Sequence, residues 1–395
     1  MYAFVFPVFS LATDSFLWSN YDATSTVSST IGSQSENPNS LNLECGSAIL
    51  IEQNTGKVLY EHNIHEQLRP ASVTKVMTIL LIMEALDSGV ISLDTPIPCS
   101  ENASSMGGSQ IWLDVKESLT VNEMLKAICV VSANDCTVAM AEYLAGSEEA
   151  FVAKMNEKAK MLGMNDTTFK NCHGIDEDGH VTSAYDISLM SRELLVNHPS
   201  ITNYTTIWMD SLRDGKSSLV NTNKLIRNYK GATGLKTGST SVALYNLSAS
   251  ATRDNLSLIA VIMKAPTTKV RFSEASKLLD YGFSMYSYGE FGKKNDVIKQ
   301  ICVTKGTKSE VNAVLEDSCG ALTKKGEEKN LIQNVNLADS VQAPVSRGQV
   351  LGEVTYSLNG EVVGKSNIIA ESNVSNMTLW SICGKLFQAW YQLIR

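Results

Sequence analysis

Residues 69–78 of the chain read RPASVTKVMT, and they open a helical pattern that continues to Leu86. The run contains no Gly or Pro after residue 70, and a stop signal at residues 87–89 closes it. Ser72 and Lys75 stand three positions apart, and residues at this spacing share one face of a helix. We therefore expect the amine of Lys75 to lie within reach of the Ser72 hydroxyl.

A serine hydroxyl is a poor nucleophile unless a nearby base takes its proton. A lysine can act as that base only if burial or a second cation lowers its pKa. The start of a helix also offers backbone N–H donors to a developing negative charge. By itself the S-x-x-K pattern is weak, because Ser72 could equally cap the helix.

A second polar motif, Ser132-Ala133-Asn134, interrupts a helical region. The helix before it begins at a capping box over residues 120–123, and the helix after it runs over 135–144 and ends at Gly146. Such a break lets the side chains of Ser132 and Asn134 project toward a cleft. In isolation either residue would instead be an ordinary helix cap.

The third motif, Lys236-Thr237-Gly238, heads a β-rich region. In a strand Lys236 and Gly238 share one side, and a glycine removes the side chain where another group approaches the backbone. Two strands over 245–252 and 256–263 form a hairpin, and a helix follows over 270–283. An exposed lysine in a turn is the alternative for K-T-G alone.

The order and the gaps of these motifs indicate a chemistry. S-x-x-K is followed 60 residues later by S-x-N and 104 residues after that by K-T-G, which is the motif set of active-site-serine penicillin-recognising enzymes. Four segments closely resemble the D-alanyl-D-alanine carboxypeptidases among the low-molecular-mass penicillin-binding proteins, and the resemblance covers about residues 46 to 371. These segments are NTGKVLY (54–60), RPASVTKVMT (69–78), HGIDEDGH (173–180) and GLKTG (234–238).

This resemblance implies an α+β fold. Its catalytic domain would be β-lactamase/transpeptidase-like, with an antiparallel sheet flanked by helices, and a small all-β domain would follow. A two-residue Asn-Gly hairpin signal at 359–360 is typical of the latter. We expect a signal-like segment and flexible linker (1–44), a penicillin-binding serine carboxypeptidase domain (45–288), a small β-rich domain (289–371) and an amphipathic helix (372–395).

The same resemblance assigns catalytic roles. Ser72 would be the nucleophile that forms an acyl-enzyme, Lys75 the base that activates it, and Ser132 the relay that passes a proton to the leaving D-alanine nitrogen. Water would then hydrolyse the ester, so no cofactor is implied. The substrate would be a peptidoglycan stem peptide ending in D-Ala-D-Ala, and β-lactam antibiotics would be covalent inhibitors.

The substrate-binding residues are carried over in the same way. Asn134 would bind the substrate amide and position Lys75. Lys236, Thr237 and Arg271 would face the terminal carboxylate, and Lys236 would also keep the pKa of Lys75 low. The oxyanion hole would use the backbone N–H groups of Ser72 and Ser239. The substrate-binding set is therefore Asn134, Lys236, Thr237, Gly238, Ser239 and Arg271.

Other functions on this fold stay open at this stage. A class A β-lactamase would use a glutamate to activate the deacylating water, and residues 193–197 (ELLVN) resemble its pattern. They begin 61 residues beyond Ser132, farther than expected, and lie in an amphipathic helix, so we interpret them as structural. A transpeptidase or endopeptidase would share all three motifs. A slowly deacylating penicillin-binding sensor would retain the same residues.

The amino-acid composition restricts the classes of partner that this chain can bind. Lys plus Arg number 33 against 41 Asp plus Glu, giving a formal charge of −8, which argues against a nucleic-acid binder. The absence of any apolar run of about 18–20 residues excludes a polytopic membrane protein. The eight cysteines show no C-x-x-C and no zinc-site spacing. We expect mostly free thiols and no metal.

The two ends indicate export. Residues 3–12 form a short apolar run without a preceding basic residue, and residues 13–44 are polar like a linker. Apolar residues at helical spacing over 379–394, with Lys385 and Arg395 but no acid, suit a helix lying in a membrane interface. The alternatives are a packed strand and a helix docked on its own domain. We predict the extracytoplasmic face of the bacterial cell membrane.

Overall fold

The computed structural model describes residues 41–378, together with Cys383 and Trp390. The signal-like segment and nearly all of the linker lie outside the described residues, as does most of the predicted C-terminal helix, so these remain predictions. The prediction is wrong for residues 372–378, which are not helical, because Val374 pairs with Val345 and Asn376 with Gly306. Within the described part of the chain, no helix combines the length and the apolar character needed to cross a membrane.

The described chain mixes helices and strands up to residue 285 and is made almost entirely of strands after it. The α-helices of the described residues are α1 (Lys75–Asp87), α2 (Glu101–Ser104), α3 (Val121–Val130), α4 (Asn134–Ala145), α5 (Glu148–Met161), α6 (Ala184–Asn197), α7 (Thr202–Thr205), α8 (Leu225–Asn228) and α9 (Thr268–Met285). Short 3₁₀ turns cover Ala71–Thr74, Pro199–Ile201 and Glu328–Asn330.

The strands fall into an N-terminal and a C-terminal group. The first group is β1 (Ser47–Glu52), β2 (Val58–His62), β3 (Pro96–Pro98), β4 (Ser118–Thr120), β5 (Met209–Leu212), β6 (Ser217–Val220), β7 (Ala232–Thr240), β8 (Leu244–Arg253) and β9 (Leu256–Ala265). The second group is β10 (Tyr286–Gly292), β11 (Val297–Thr304), β12 (Glu310–Leu315), β13 (Cys319–Lys324), β14 (Leu331–Leu337), β15 (Ser340–Gln342), β16 (Val350–Leu358) and β17 (Glu361–Ala370).

The catalytic region is built on a five-stranded antiparallel sheet. Its order is β2-β1-β9-β8-β7, so β7, which carries the K-T-G motif, is an edge strand. Side chains alternate across the sheet. Ile49 and Ile51 pack into one core with helices α1, α3, α4 and α6, whereas Ala48 and Leu50 pack into another core with α9. The sheet is thus covered on both faces, and the predicted α+β class is confirmed.

The helix ends predicted at the capping box and at Gly146 are confirmed, whereas the helix predicted at Ser72 begins differently. The capping box is formed by Thr120 and Glu123, and α4 ends at Gly146, whose φ is 84°. The helix predicted to begin at Ser72 instead starts as a 3₁₀ turn, and α1 proper begins at Lys75. Ala71, with a φ of 49°, enters this turn outside the right-handed helical region.

The C-terminal region is β-rich. A six-stranded sheet has the order β14-β16-β17-β12-β11-β15, and β10 pairs with β13. Buried side chains such as Val354 and Ile368 form a separate small core. Position 288, where we expect the catalytic domain to end, lies inside β10, which follows α9 directly. The boundary between the two domains therefore remains a proposal.

Candidate active site

The turn before α1 brings Ser72 and Lys75 together. A 3₁₀ helix has three residues per turn, so side chains at i and i+3 eclipse each other. The Nζ atom of Lys75 accordingly lies 3.1 Å from Oγ of Ser72. Ser72 lies inside the turn, whose N-cap is Pro70, and the N-cap of α1 is Thr74, so a role as a plain helix cap is not what the structure shows.

Lys75 is fully buried, yet its amine is surrounded by oxygen atoms. Besides Ser72, it contacts Oδ1 of Asn134 at 2.6 Å and the backbone carbonyl of His173 at 2.7 Å. Burial lowers the pKa of Lys75 well below its usual value, and the charge of Lys236 lowers it further. A lysine so placed can be neutral at physiological pH.

The break between α3 and α4 presents Ser132 and Asn134. Ser132 has a φ of 66°, and its buried Oγ has no hydrogen-bond partner among the described residues. Asn134 begins α4, and its Nδ2 donates to the carbonyl of Gly107 at 2.7 Å. The amide is therefore oriented with its oxygen toward Lys75, and the serine hydroxyl is free to bind another group.

The edge strand β7 supplies the K-T-G residues. Lys236 is buried, and burial, together with a smaller contribution from the charge of Arg271, lowers its pKa to about 7. The hydroxyl of Thr237 donates to Oγ1 of Thr222 at 2.7 Å. Ser239 is exposed and pairs in register with Tyr245 of β8.

Gly238 lies where β7 approaches the Ser72 turn. A Cβ atom added at this glycine would stand 2.8 Å from the carbonyl oxygen of Pro70 and 2.9 Å from the backbone N of Ser72. Both are backbone atoms that cannot rotate away, so only glycine allows this approach. Lys236 shares the same side of the strand, which directs its amine toward the turn that carries Ser72.

Arg271 reaches the far end of β7 from helix α9. Its Nη1 donates to the carbonyls of Gly238 and Asn246, each at 3.3 Å, while its Nε has no partner among the described residues. The guanidinium also lies 4.6 Å from the ring centroid of Phe272. Burial lowers the pKa of Arg271 to about 10. Lys75, Lys236 and Arg271 thus concentrate basic groups around one crevice, which favours an anionic ligand.

A loop that motif analysis did not assign completes the site. His173 provides a carbonyl to Lys75, and Gly174, with a φ of 90°, passes so close to Ala71 that an added Cβ would lie 1.9 Å from its carbonyl oxygen. Asn171 holds this geometry because its Oδ1 accepts from the N–H of Gly174 at 2.7 Å. The only sequence signal was the run over 173–180, which we recognised by resemblance alone.

The same loop ends at a buried histidine. The ring Nδ1 of His180 accepts from the N–H of Lys170 at 3.0 Å, and its Nε2 is 2.8 Å from Oγ1 of Thr74. The Thr74 hydroxyl donates its one proton to the carbonyl of Ala71 at 2.8 Å, so Nε2 of His180 must donate to Thr74. The network therefore requires a neutral imidazole, and burial lowers the pKa of His180 to about 4.

Other candidate groups belong elsewhere. Glu193 of helix α6, the candidate deacylating residue of a β-lactamase, pairs with Lys158 at 3.0 Å and accepts a hydrogen bond from Asn197 at 2.8 Å. These contacts give it a structural role. Across the described ranges, no three His, Cys, Asp or Glu side chains are grouped to hold a metal ion. The eight cysteines are free, and of these Cys302 and Cys383 are exposed.

Comparison with known protein families agrees with this arrangement. Residues 33–267 match the family described as D-alanyl-D-alanine carboxypeptidase, peptidase S11. Residues 286–376 match the C-terminal domain of penicillin-binding protein 5. Together the two matches span both regions of the chain that the fold distinguishes.

Among curated proteins, the chain is similar to several carboxypeptidases along nearly their whole length. It is 47% identical over 335 residues to the D-alanyl-D-alanine carboxypeptidase DacF of Bacillus subtilis, covering 84% of this chain and 86% of that protein. It is 32% identical over 355 residues to DacC of Escherichia coli, covering 87% and 88% respectively.

Solved structures show the same fold. Penicillin-binding protein 5 from Haemophilus influenzae superimposes with a TM-score of 0.70 at 30% identity, covering 85% of this chain and 98% of that one. Penicillin-binding protein D2 from Listeria monocytogenes, in its ampicillin-bound form, gives a TM-score of 0.57 at 30% identity, covering 62% and 99%.

Proposed function

This chain belongs to the D-alanyl-D-alanine carboxypeptidase family of serine peptidases, S11, and we propose that Ser72 carries its reaction. The enzyme removes the terminal D-alanine from peptidoglycan stem peptides that end in D-Ala-D-Ala, and β-lactams acylate it. The observation that supports the assignment of Ser72 is the 3.1 Å contact between its Oγ and the buried amine of Lys75.

Lys75 is the general base of the acylation step. A neutral amine has two N–H donors and one lone pair. The carbonyl oxygens of Asn134 and His173, at 2.6 Å and 2.7 Å, accept the two N–H groups. The lone pair is then left for the proton of Ser72. This allocation, together with the lowered pKa of Lys75, supports a lysine that removes the serine proton as the bond to carbon forms.

Acylation transfers the substrate acyl group to Ser72 and releases D-alanine. Oγ of Ser72 attacks the carbonyl carbon of the penultimate D-alanine, and its proton passes to Lys75. The backbone N–H groups of Ser72 and Ser239 stabilise the oxyanion. The C–N bond then breaks, and the leaving D-alanine nitrogen receives the proton from Lys75 through the hydroxyl of Ser132. The buried and unpartnered Oγ of Ser132, noted for the described residues, supports this relay.

Deacylation reuses the same groups. A water molecule attacks the ester carbonyl and gives a proton to Lys75, and Oγ of Ser72 leaves with that proton. The product peptide ends in one D-alanine, and the enzyme returns to its starting state without a cofactor. Because Glu193 is bound by Lys158 and Asn197, we do not assign it a role in this step.

Recognition of the terminal carboxylate completes the proposal. Lys236 and Arg271 bind this anion, Thr237 joins them when its hydroxyl turns from Thr222 to the carboxylate, and Asn134 binds the substrate amide. Burial of the two cations supports this assignment because an ion pair in a desolvated site is stronger than one in water. Gly238 keeps the strand close to Ser72, so the carboxylate site and the nucleophile stay a fixed distance apart.

The location of the enzyme follows from its substrate. Because stem peptides lie outside the cytoplasmic membrane, we propose an extracytoplasmic enzyme whose helix over 379–395 lies on the membrane surface. Basic and aromatic residues without acids over 379–395 support this. Co-sedimentation with vesicles of anionic lipid, for the full chain and for a chain ending at residue 378, which keeps the buried Val374, tests it. Equal binding of the two chains would contradict the anchor.

Mass spectrometry after incubation with benzylpenicillin tests the nucleophile. We expect one adduct, on Ser72, and none on Ser72→Ala, together with loss of D-alanine release. Ser239→Ala is the matched control, because the role proposed for Ser239 uses only its backbone N–H, and we expect it to be acylated. An adduct on another residue of the wild-type enzyme would overturn the assignment.

Whether water or an amine takes the acyl group separates a carboxypeptidase from a transpeptidase or a sensor. We expect D-alanine release from a D-Ala-D-Ala peptide to continue over many turnovers without an added amine acceptor. Release of a single equivalent would instead favour a slowly deacylating binding protein.

A further inference from the structure

Trp112 is an exposed aromatic residue beside the candidate active site. Its side chain is 74% exposed, whereas its neighbours Ile111 and Leu113 are 5% and 3% exposed. A single exposed apolar side chain needs no explanation on its own. Here, however, the backbone that carries it is strained and is fastened by side chains on both sides.

The strain lies in the backbone of Trp112 itself. Its φ is 53°, in the left-handed region that a bulky residue without special support avoids. Residues persist in this region only where the surrounding structure fixes them, and such residues cluster at functional sites. Two side chains, Asp135 and Arg213, fix the backbone on either side of Trp112.

A buried carboxylate holds the two flanking amides. Oδ2 of Asp135, which is fully buried, accepts from the N–H of Ile111 at 3.0 Å and from the N–H of Leu113 at 3.1 Å. The two amides on either side of Trp112 are thereby fixed to the first turn of α4. Asp135 directly follows Asn134, so the anchor belongs to the same turn as the proposed substrate-binding amide.

An ion-paired arginine holds the carbonyls of the same segment. Arg213 donates to the carbonyl of Ile111 at 2.8 Å and to that of Trp112 at 3.2 Å. Glu117 holds this guanidinium in turn, through Nε at 2.6 Å and Nη2 at 2.8 Å. A bidentate pair of this kind fixes geometry as well as charge. Asp135 and Arg213 thus form hydrogen bonds to four backbone groups next to the exposed indole.

The segment lies along the rim of the crevice. The carbonyls of Gly107 and Ser109 accept from Nδ2 and from the backbone N of Asn134, at 2.7 Å and 2.6 Å. Trp112 follows Ser109 by three residues, which is about 10 Å of extended chain. The third and fourth residues of an extended substrate lie about 10 Å from its end by the same measure. The exposed ring is therefore within reach of the upstream part of a bound stem peptide.

We propose that the Trp112 indole is a binding platform for the aliphatic part of the peptidoglycan substrate upstream of its terminal D-Ala-D-Ala. Asp135 and Arg213 act as positioning residues that hold the platform. The flat ring packs against C–H groups, which either the side-chain methylenes of the stem peptide or the pyranose ring of the attached sugar can supply. The inference rests on the proposed function, because it takes Asn134 to contact the substrate.

Kinetics on substrates of graded length test the platform. The substrates are N-acetyl-D-Ala-D-Ala, Nα,Nε-diacetyl-L-Lys-D-Ala-D-Ala and a muramyl pentapeptide. We expect Trp112→Ala to lower kcat/KM about three- to tenfold on the longer substrates, chiefly through KM, and to leave the dipeptide unchanged. Trp112→Phe should restore part of the loss, since it retains a ring on the same backbone.

Tyr143→Ala is the matched control, because it removes another exposed aromatic ring, from helix α4. It should change none of the three values. A larger loss on the muramyl substrate than on the tripeptide would assign the platform to the sugar, and equal losses would assign it to the stem peptide. Equal losses on all three substrates, or no loss on any, would overturn the proposal. Failure of the proposed function would instead appear as no turnover by the wild-type enzyme.

Discussion

The amine of Lys75 lies 2.6 Å from Oδ1 of Asn134, closer than the 3.1 Å that separates it from the hydroxyl of Ser72. The contact joins helices α1 and α4 across 59 positions of sequence. Because an amide oxygen accepts but never donates, Asn134 takes up one N–H of the lysine and leaves its lone pair for the serine proton. In the proposed mechanism, the reactivity of Ser72 therefore depends on a residue from another helix.

Removal of the charge on Lys236 should move the pH dependence of acylation. The charge of Lys236 lowers the pKa of Lys75, and acylation needs the neutral form of Lys75. In Lys236→Gln the pKa of Lys75 should rise, so as the pH is lowered the acylation rate should begin to fall at a higher pH than in the wild type. The rate of benzylpenicillin acylation from pH 5 to 10 measures this. Lys57→Gln, which removes an exposed lysine, is the control. If the acylation rate of Lys236→Gln fell at the same pH as that of the wild type, the prediction would be contradicted.

Gly238→Ala should impair acylation more than stability. The added Cβ would meet the backbone N of Ser72 at 2.9 Å, and we propose that N–H as an oxyanion donor. Loss of one such donor typically costs about 10²–10³ in rate. Gly46→Ala is the control, because its Cβ would meet only the flexible side chain of Lys264, at 3.1 Å. Wild-type acylation by Gly238→Ala would show that the close approach is not required.

Arg271→Met should weaken binding of the substrate carboxylate. We expect kcat/KM on a D-Ala-D-Ala peptide to fall about 10- to 100-fold, as for loss of a charged hydrogen bond. A peptide ending in a carboxamide should lose less. Arg227→Met, which removes a cation that stacks on Trp208, should affect neither. Equal losses on the acid and the amide would mean that Arg271 acts only through the carbonyls of Gly238 and Asn246.

His180 should make the fold sensitive to acid. Burial lowers the pKa of His180 to about 4 in the folded protein, from 6.5 for a solvent-exposed histidine, so the unfolded chain binds more protons between these values. Its contribution is complete above about pH 6.5 and is lost as the pH falls toward 4, by about 3 kcal/mol. Urea unfolding at several pH values measures it.

His180→Gln should be less stable at pH 7 and should lose part of this pH dependence. The partly exposed His62 supplies the control, His62→Gln, which should keep the wild-type profile. Parallel stability profiles for His180→Gln and the wild type between pH 6.5 and 4 would exclude His180 as the source.

Much of the molecule could be predicted because local rules act within a few residues. The capping box at Thr120, the turn at Gly146 and the hairpin at residues 359–360 each depend on neighbours in sequence. The spacing of Ser72 and Lys75 likewise follows from one helical turn, although the turn is 3₁₀. The order of three short motifs indicated a penicillin-recognising serine enzyme, and four short segments identified the family by resemblance.

What the sequence by itself determined were these local elements and the identity of the reacting groups. The tertiary structure alone decided the state of those groups. The burial that lowers the pKa of Lys75, the carbonyl of His173 and the glycine at position 174 that lets this loop reach Ala71 all come from distant segments. The physical reason is that desolvation and close backbone approach depend on which segments pack together in space, and residue type along the chain does not encode this directly.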